Sequence, residues 1–80
     1  MTEETLTHAN ALKHDIKEMN EILDILTAKD MVITIECIHE RLHYQKEWQG
    51  DSAMGEAFKS VMIDVATEKL NEYTAEFEAL

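Results

Sequence analysis

No proline interrupts this chain of 80 residues, and its two glycines, Gly50 and Gly55, fall within one short window. Proline and glycine are the strongest punctuation a backbone has, so that window marks the best break in the chain. A single cysteine, Cys37, excludes an internal disulfide framework and agrees with a reducing compartment. No apolar run approaches the length of a membrane-spanning helix, and the opening MTEETLTHAN is polar and acidic where a signal peptide would be basic. The expected location is therefore cytoplasmic. Bases are scarce too: seven Lys and Arg stand against seventeen Asp and Glu, for a net charge of -10. A field of that sign repels nucleic acid and anionic membranes, which excludes both as direct partners, and it attracts basic protein surfaces.

Eighty residues, 45% of them hydrophobic, make one domain, 1–80, with one small core. So short a chain leaves much apolar surface in water, and dimerisation, a bound metal or a larger partner would each relieve that shortage. A homodimer is the expectation.

From about Glu3 to Ala28, the residues Ala9, Leu12, Ile16, Met19, Leu23 and Leu26 recur at steps of three and four, which predicts a helix with one coiled-coil-like stripe. From about Ser52 to Leu80, Met54, Phe58, Val61 and Val65, then Met62, Ala66, Leu70, Tyr73, Phe77 and Leu80, form a broad apolar face at helical spacing. Asp51 or Ser52 suits its N-cap, and Gly50 suits a chain reversal before it. Asp30 breaks the first stripe, so a boundary is expected near Thr27 to Asp30, with Asp30 capping the next element.

The segment 30–49 reads two ways. Ile33, Ile35 and Cys37 alternate with Thr34 and Glu36 as in a strand, but no Gly, Asn, Asp or Pro is present between Met31 and Gln49 to turn a hairpin. Met31, Ile35, Ile38 and Leu42 keep helical spacing, and HERLHYQKEWQ is made of residues that a helix tolerates. The expected fold is thus mainly α: an antiparallel bundle of two long helices, about 3–28 and 52–80, with a shorter central helix. The alternative is α+β with a β-hairpin at 31–48.

Within that segment His39, Glu40, Arg41, Leu42 and His43 spell HExxH. On a helix the two histidines would lie one turn apart to bind zinc, with the glutamate activating the metal-bound water. Arg41 departs from the uncharged residues usual inside the motif, and 80 residues leave little room for a third ligand and a substrate-binding strand edge, so no enzyme is expected. A structural zinc asks for less, namely four donors. If the segment is extended, Cys37, His39 and His43 share a face and form a zinc-suited set; if helical, His39 and His43 are joined by glutamates.

Trp48 to Phe58, WQGDSAMGEAF, resembles the turn of the Trp-x-Gly secreted helical-hairpin family, with Trp48 and Gly50 on its two anchors. That resemblance implies a secreted helical-hairpin dimer. The chain departs from the family pattern in two places: Phe58 follows the tryptophan by ten positions instead of about eight, and Phe77 stands four after Tyr73 where the secretion signal has an acid.

Asp64, Glu68, Glu72 and Glu76 recur every fourth residue, about 6 Å apart along a helix axis. Like charges so spaced destabilise a helix by a few tenths of a kcal/mol per pair, so an acid row without interleaved lysines costs stability. Glu18, Glu21 and Asp24 add a second acidic strip. Such rows can imitate a phosphate backbone and occupy a basic nucleic-acid channel. Small size, strong acidity and a mostly helical pattern together resemble phage-encoded inhibitors of host defence, including anti-CRISPR proteins. The resemblance implies a protein-binding inhibitor in the cytoplasm of a bacterial host, docked on the basic surface of a defence nuclease such as a CRISPR effector.

Overall fold

The structure, a computed structural model, describes residues 2–80. Its elements run α1 (Glu3–Leu26), β1 (Val32–His39), β2 (Leu42–Gln49) and α2 (Ala53–Glu78). The two strands pair antiparallel with each other alone. This corrects the expected fold: the chain is α+β, and the central segment is a β-hairpin instead of a short helix between two long ones.

The physical reason lies in side-chain parity. In β1, Ile33, Ile35 and Cys37 fall on one side; in β2, Leu42, Tyr44 and Trp48 do the same, and the register places Ile33 opposite Trp48, Cys37 opposite Tyr44 and His39 opposite Leu42. A helix would scatter these six around its circumference, and the β-branched residues at 32–35 would lose rotamer freedom there. The missing turn residues are no barrier, because Glu40 takes the left-handed conformation itself, with φ 53, and closes a two-residue turn with Arg41. That conformation costs a non-glycine residue about 1–2 kcal/mol, which the eight pairs of the ladder offset.

α1 opens on Thr2, whose hydroxyl accepts from the Thr5 amide at 3.1 Å, and carries Glu3 and Glu4 in its first turn, where carboxylates suit the helix dipole. It ends at Thr27, whose amide and hydroxyl both donate to the Leu23 carbonyl. Asp30 does not cap a helix; it lies in the turn that follows, with φ 64. α2 is capped by Ser52, which accepts from the Gly55 amide at 3.0 Å. At the base of the hairpin the Gly50 amide donates to the Met31 carbonyl at 2.8 Å, and a side chain at Gly50 would strike that carbonyl.

α1 and α2 pack antiparallel, with Ala9, Leu12, Leu26 and Ala66 buried between them and around the hairpin base. Of the two apolar stripes on the second helix, the one through Ala66, Leu70, Tyr73 and Phe77 is turned toward α1, while Met54, Val61 and Val65 remain exposed. The hairpin touches α2 only near its base, where the Trp48 and Phe58 rings meet at 5.3 Å. The result is an open shape of 47 × 33 × 16 Å with a radius of gyration of 16.6 Å. A compact chain of this length would have a radius of about 12 Å.

Candidate functional site

The HExxH residues sit at the hairpin tip: His39 ends β1, Glu40 and Arg41 form the turn, and Leu42 and His43 begin β2. Because two turn residues intervene, His39 shares a face with Leu42, and His43 shares the opposite face with Ile38. The two histidines therefore point to opposite sides of the ribbon. Glu40, the residue the motif would make a general base, is the strained residue of the turn. His43 is engaged by Glu36, its neighbour on the same face, and His39 lies 4.0 Å from Glu40.

The extended reading of 37–43 placed Cys37, His39 and His43 together, as a single unbroken strand would. The hairpin keeps Cys37 and His39 on one face and turns His43 away. Among the described residues, no group of three or more His, Cys, Asp or Glu side chains is gathered closely enough to hold a metal ion. Trp48 and Gly50, the anchors of the Trp-x-Gly resemblance, stand at the end of a strand and the turn after it, not in a turn between two helices.

The acidic row lies along α2, exposed to water, with Glu72 and Glu76 each about half covered. At 100° per residue, Asp64 and Glu68 flank the side of the helix opposite buried Ala66, so they point away from α1, while Glu72 and Glu76 drift toward one flank. Two partners of the row were not revealed by its own spacing. Lys69 donates to Glu72 at 3.2 Å, and His8 of α1 reaches Glu76 at 3.1 Å. The hydrogen bond to Glu72 and that carboxylate's charge raise the Lys69 pKa above its ordinary value, with smaller contributions from Tyr73 and Glu68. A raised cation pKa stabilises the folded chain fully below the unfolded-state value and loses that contribution as pH climbs through the folded one, so the pair persists across the neutral range. It is exposed, and solvent screening keeps its contribution small.

Asp64 and Glu68 have no cationic partner within 4 Å among the described residues. On α1, Glu18 and Glu21 lie 3.9 Å from His14 and 4.0 Å from Lys17, and Glu21 stands opposite buried Leu12. Since each helix turns its buried face to the other, the outer carboxylates of α1 and those of α2 point in opposite directions. The seven acids of the two rows thus make two separate surfaces; unpaired within 4 Å among the described residues are Asp24 on α1 and, at the N-terminal end of the α2 row, Asp64 and Glu68.

A cleft of about 280 Å³ opens where the α1–β1 and β2–α2 connections meet, lined by Lys29, Asp30, Met31, Gly50, Asp51 and Lys59 among others. Its charges are mixed, and none of the HExxH residues reaches it. No family model, no curated protein and no solved structure matches this chain.

Proposed function

We propose that this chain is a non-catalytic binding protein that acts by occupying a basic, nucleic-acid-binding surface of another protein, of the kind a host defence nuclease such as a CRISPR effector presents. The observation that carries this reading is the carboxylate row on the outer side of α2, whose first two members, Asp64 and Glu68, are exposed and have no cationic partner within 4 Å among the described residues, in a chain of net charge -10. Four carboxylates at roughly 6 Å intervals along a rigid rod offer a basic groove the charge pattern of a nucleic-acid strand without its deformability. Such a row repels itself by a few tenths of a kcal/mol per neighbouring pair, a cost that a cationic partner reverses on binding.

The test is competition. Purified nucleic-acid-guided and other defence nucleases are loaded with labelled nucleic acid, and its displacement by this protein is followed at rising salt. Displacement by the wild-type chain should weaken steeply with ionic strength, and the double substitution Asp64→Lys with Glu68→Lys should abolish it, about a tenfold loss per reversed charge. Equal substitutions on α1, Glu21→Lys and Asp24→Lys, should cost far less, because they face away from that surface. Displacement that ignores both salt and the α2 substitutions refutes the reading.

A further inference from the structure

The protomer exposes more surface than a folded chain of its mass should. Its accessible area is 6399 Å², while a monomer of 9.2 kDa follows the usual scaling to about 4,900 Å². The excess of about 1,500 Å² lies in the range that one subunit buries in an obligate homodimer and well above the roughly 800 Å² per partner of a standard-size interface. Twelve large hydrophobic side chains are exposed among the described residues, and no large side chain is fully buried. A free two-stranded ribbon is at best marginally stable in water, so its exposed apolar side calls for a cover.

These side chains are spread over both helices and both faces of the hairpin, and three of them gather on one hairpin face. The β1–β2 face that bears Trp48 carries Ile35, Leu42 and Tyr44, the last 62% exposed, beyond the point where α2 stops covering it. Beyond the Trp48–Phe58 contact Val61 and Val65 of α2 are exposed too, but Asp64 and Glu68 follow them by three residues on the same helical face, so the carboxylate-free apolar surface ends at the hairpin. The charges are segregated from it as well. The apolar face of the hairpin holds Lys46 and His39 and no carboxylate, whereas Glu36 and Glu47 both occupy the opposite face. In a chain with seventeen acids that exclusion matters, because two copies of net charge -10 can meet only where their carboxylates are absent.

We propose that this hairpin surface is the interface of a symmetric dimer of the chain, in which the apolar hairpin face of each copy is covered by that of the other. A patch of this kind is self-complementary, as a two-fold interface requires: apolar meets apolar. Confined to the hairpin, the interface leaves Asp64 and Glu68 of α2 outside it, so it is independent of the function proposed above, and either reading can fail alone.

Solution mass over a dilution series, combined with thiol reactivity, tests it. The wild type should show twice the mass of a 9.2 kDa chain at micromolar concentration and above. Tyr44→Glu and Ile35→Glu should return it to a monomer. Ile38→Glu, on the same strand but the opposite face and 73% exposed, should leave the dimer intact. Cys37 lies on the proposed interface and is exposed in the protomer, so its reaction with an aromatic disulfide should slow by about tenfold or more as dilute protein is concentrated. That series needs no substitution and decides the matter even where Tyr44→Glu fails to fold. A monomer at every concentration up to the millimolar range overturns the proposal and assigns the face to a different protein. A dimer whose Cys37 reacts as fast as in dilute protein overturns it too, since the copies then meet elsewhere.

Discussion

Replacing Gly55 by alanine puts the corner between hairpin and second helix under load. In the first turn of an ordinary helix this change stabilises by up to about 1 kcal/mol, because glycine gives up more backbone entropy than alanine. Here an added Cβ would run into the Gln49 carbonyl oxygen, with the carbonyl carbon at 2.9 Å and the Gly50 Cα at 3.0 Å. That carbonyl accepts from the Ser52 amide at 3.1 Å and from the Ser52 hydroxyl at 2.7 Å, and the same hydroxyl accepts from the Gly55 amide at 3.0 Å. Pushing the carbonyl aside loosens three hydrogen bonds, each worth about 1 kcal/mol net. Against a propensity gain of about 1 kcal/mol the balance is a loss of about 2 kcal/mol. For a domain of this size that lowers the Tm by about 8–16 °C. Thermal unfolding followed by circular dichroism reads it, with wild type and variant at one protein concentration so that any association contributes equally. Ser52→Ala alone should cost about 1 kcal/mol. In the Gly55→Ala background it should cost almost nothing, because the cap has already been displaced. A Gly55→Ala protein as stable as the wild type, or losses that simply add, would refute the reasoning.

Two further perturbations probe the hairpin. Glu40→Gly removes the penalty of a side chain at φ 53 and should stabilise the chain by about 1 kcal/mol in urea unfolding; a destabilised variant contradicts the turn described here. Trp48→Ala deletes the ring that seats the hairpin on Phe58; as Trp48 is only half-buried, the expected loss is about 2 kcal/mol, below the 3–5 kcal/mol of a core aromatic, and an unchanged midpoint would mean that the corner contributes nothing.

The stripe of Ala9, Leu12, Ile16, Met19, Leu23 and Leu26 locates the first helix to within two residues of its observed end, and the face from Ala66 to Phe77 locates the second. Both are local matters of period. The strand pattern of the middle was legible as well: Leu42, Tyr44 and Trp48 alternate just as Ile33, Ile35 and Cys37 do. It was outweighed by the absence of turn residues, yet a turn at Glu40 is affordable once eight cross-strand pairs form, and a cooperative gain of that kind cannot be seen in any short window. The acid row was visible at its spacing, but its partial neutralisation was not. Lys69 is three residues from Glu72, whereas His8 is sixty-eight positions from Glu76 and meets it only because the helices run antiparallel.

The composition and the periodicities therefore determine the two amphipathic helices, the acidity and the break at 50–55, because each depends on side chains near one another along the chain. The sidedness of the molecule is a matter of three-dimensional assembly. Which of two apolar stripes on the second helix meets the first, whether His39 and His43 share a face, and which carboxylates point the same way all follow from strand register and helix packing. A two-residue turn inverts parity across the hairpin, and one helix packed against another divides a ring of charge into two surfaces. Local patterns name the residues available for function, but the relative orientation of elements distant in sequence selects those that can act together.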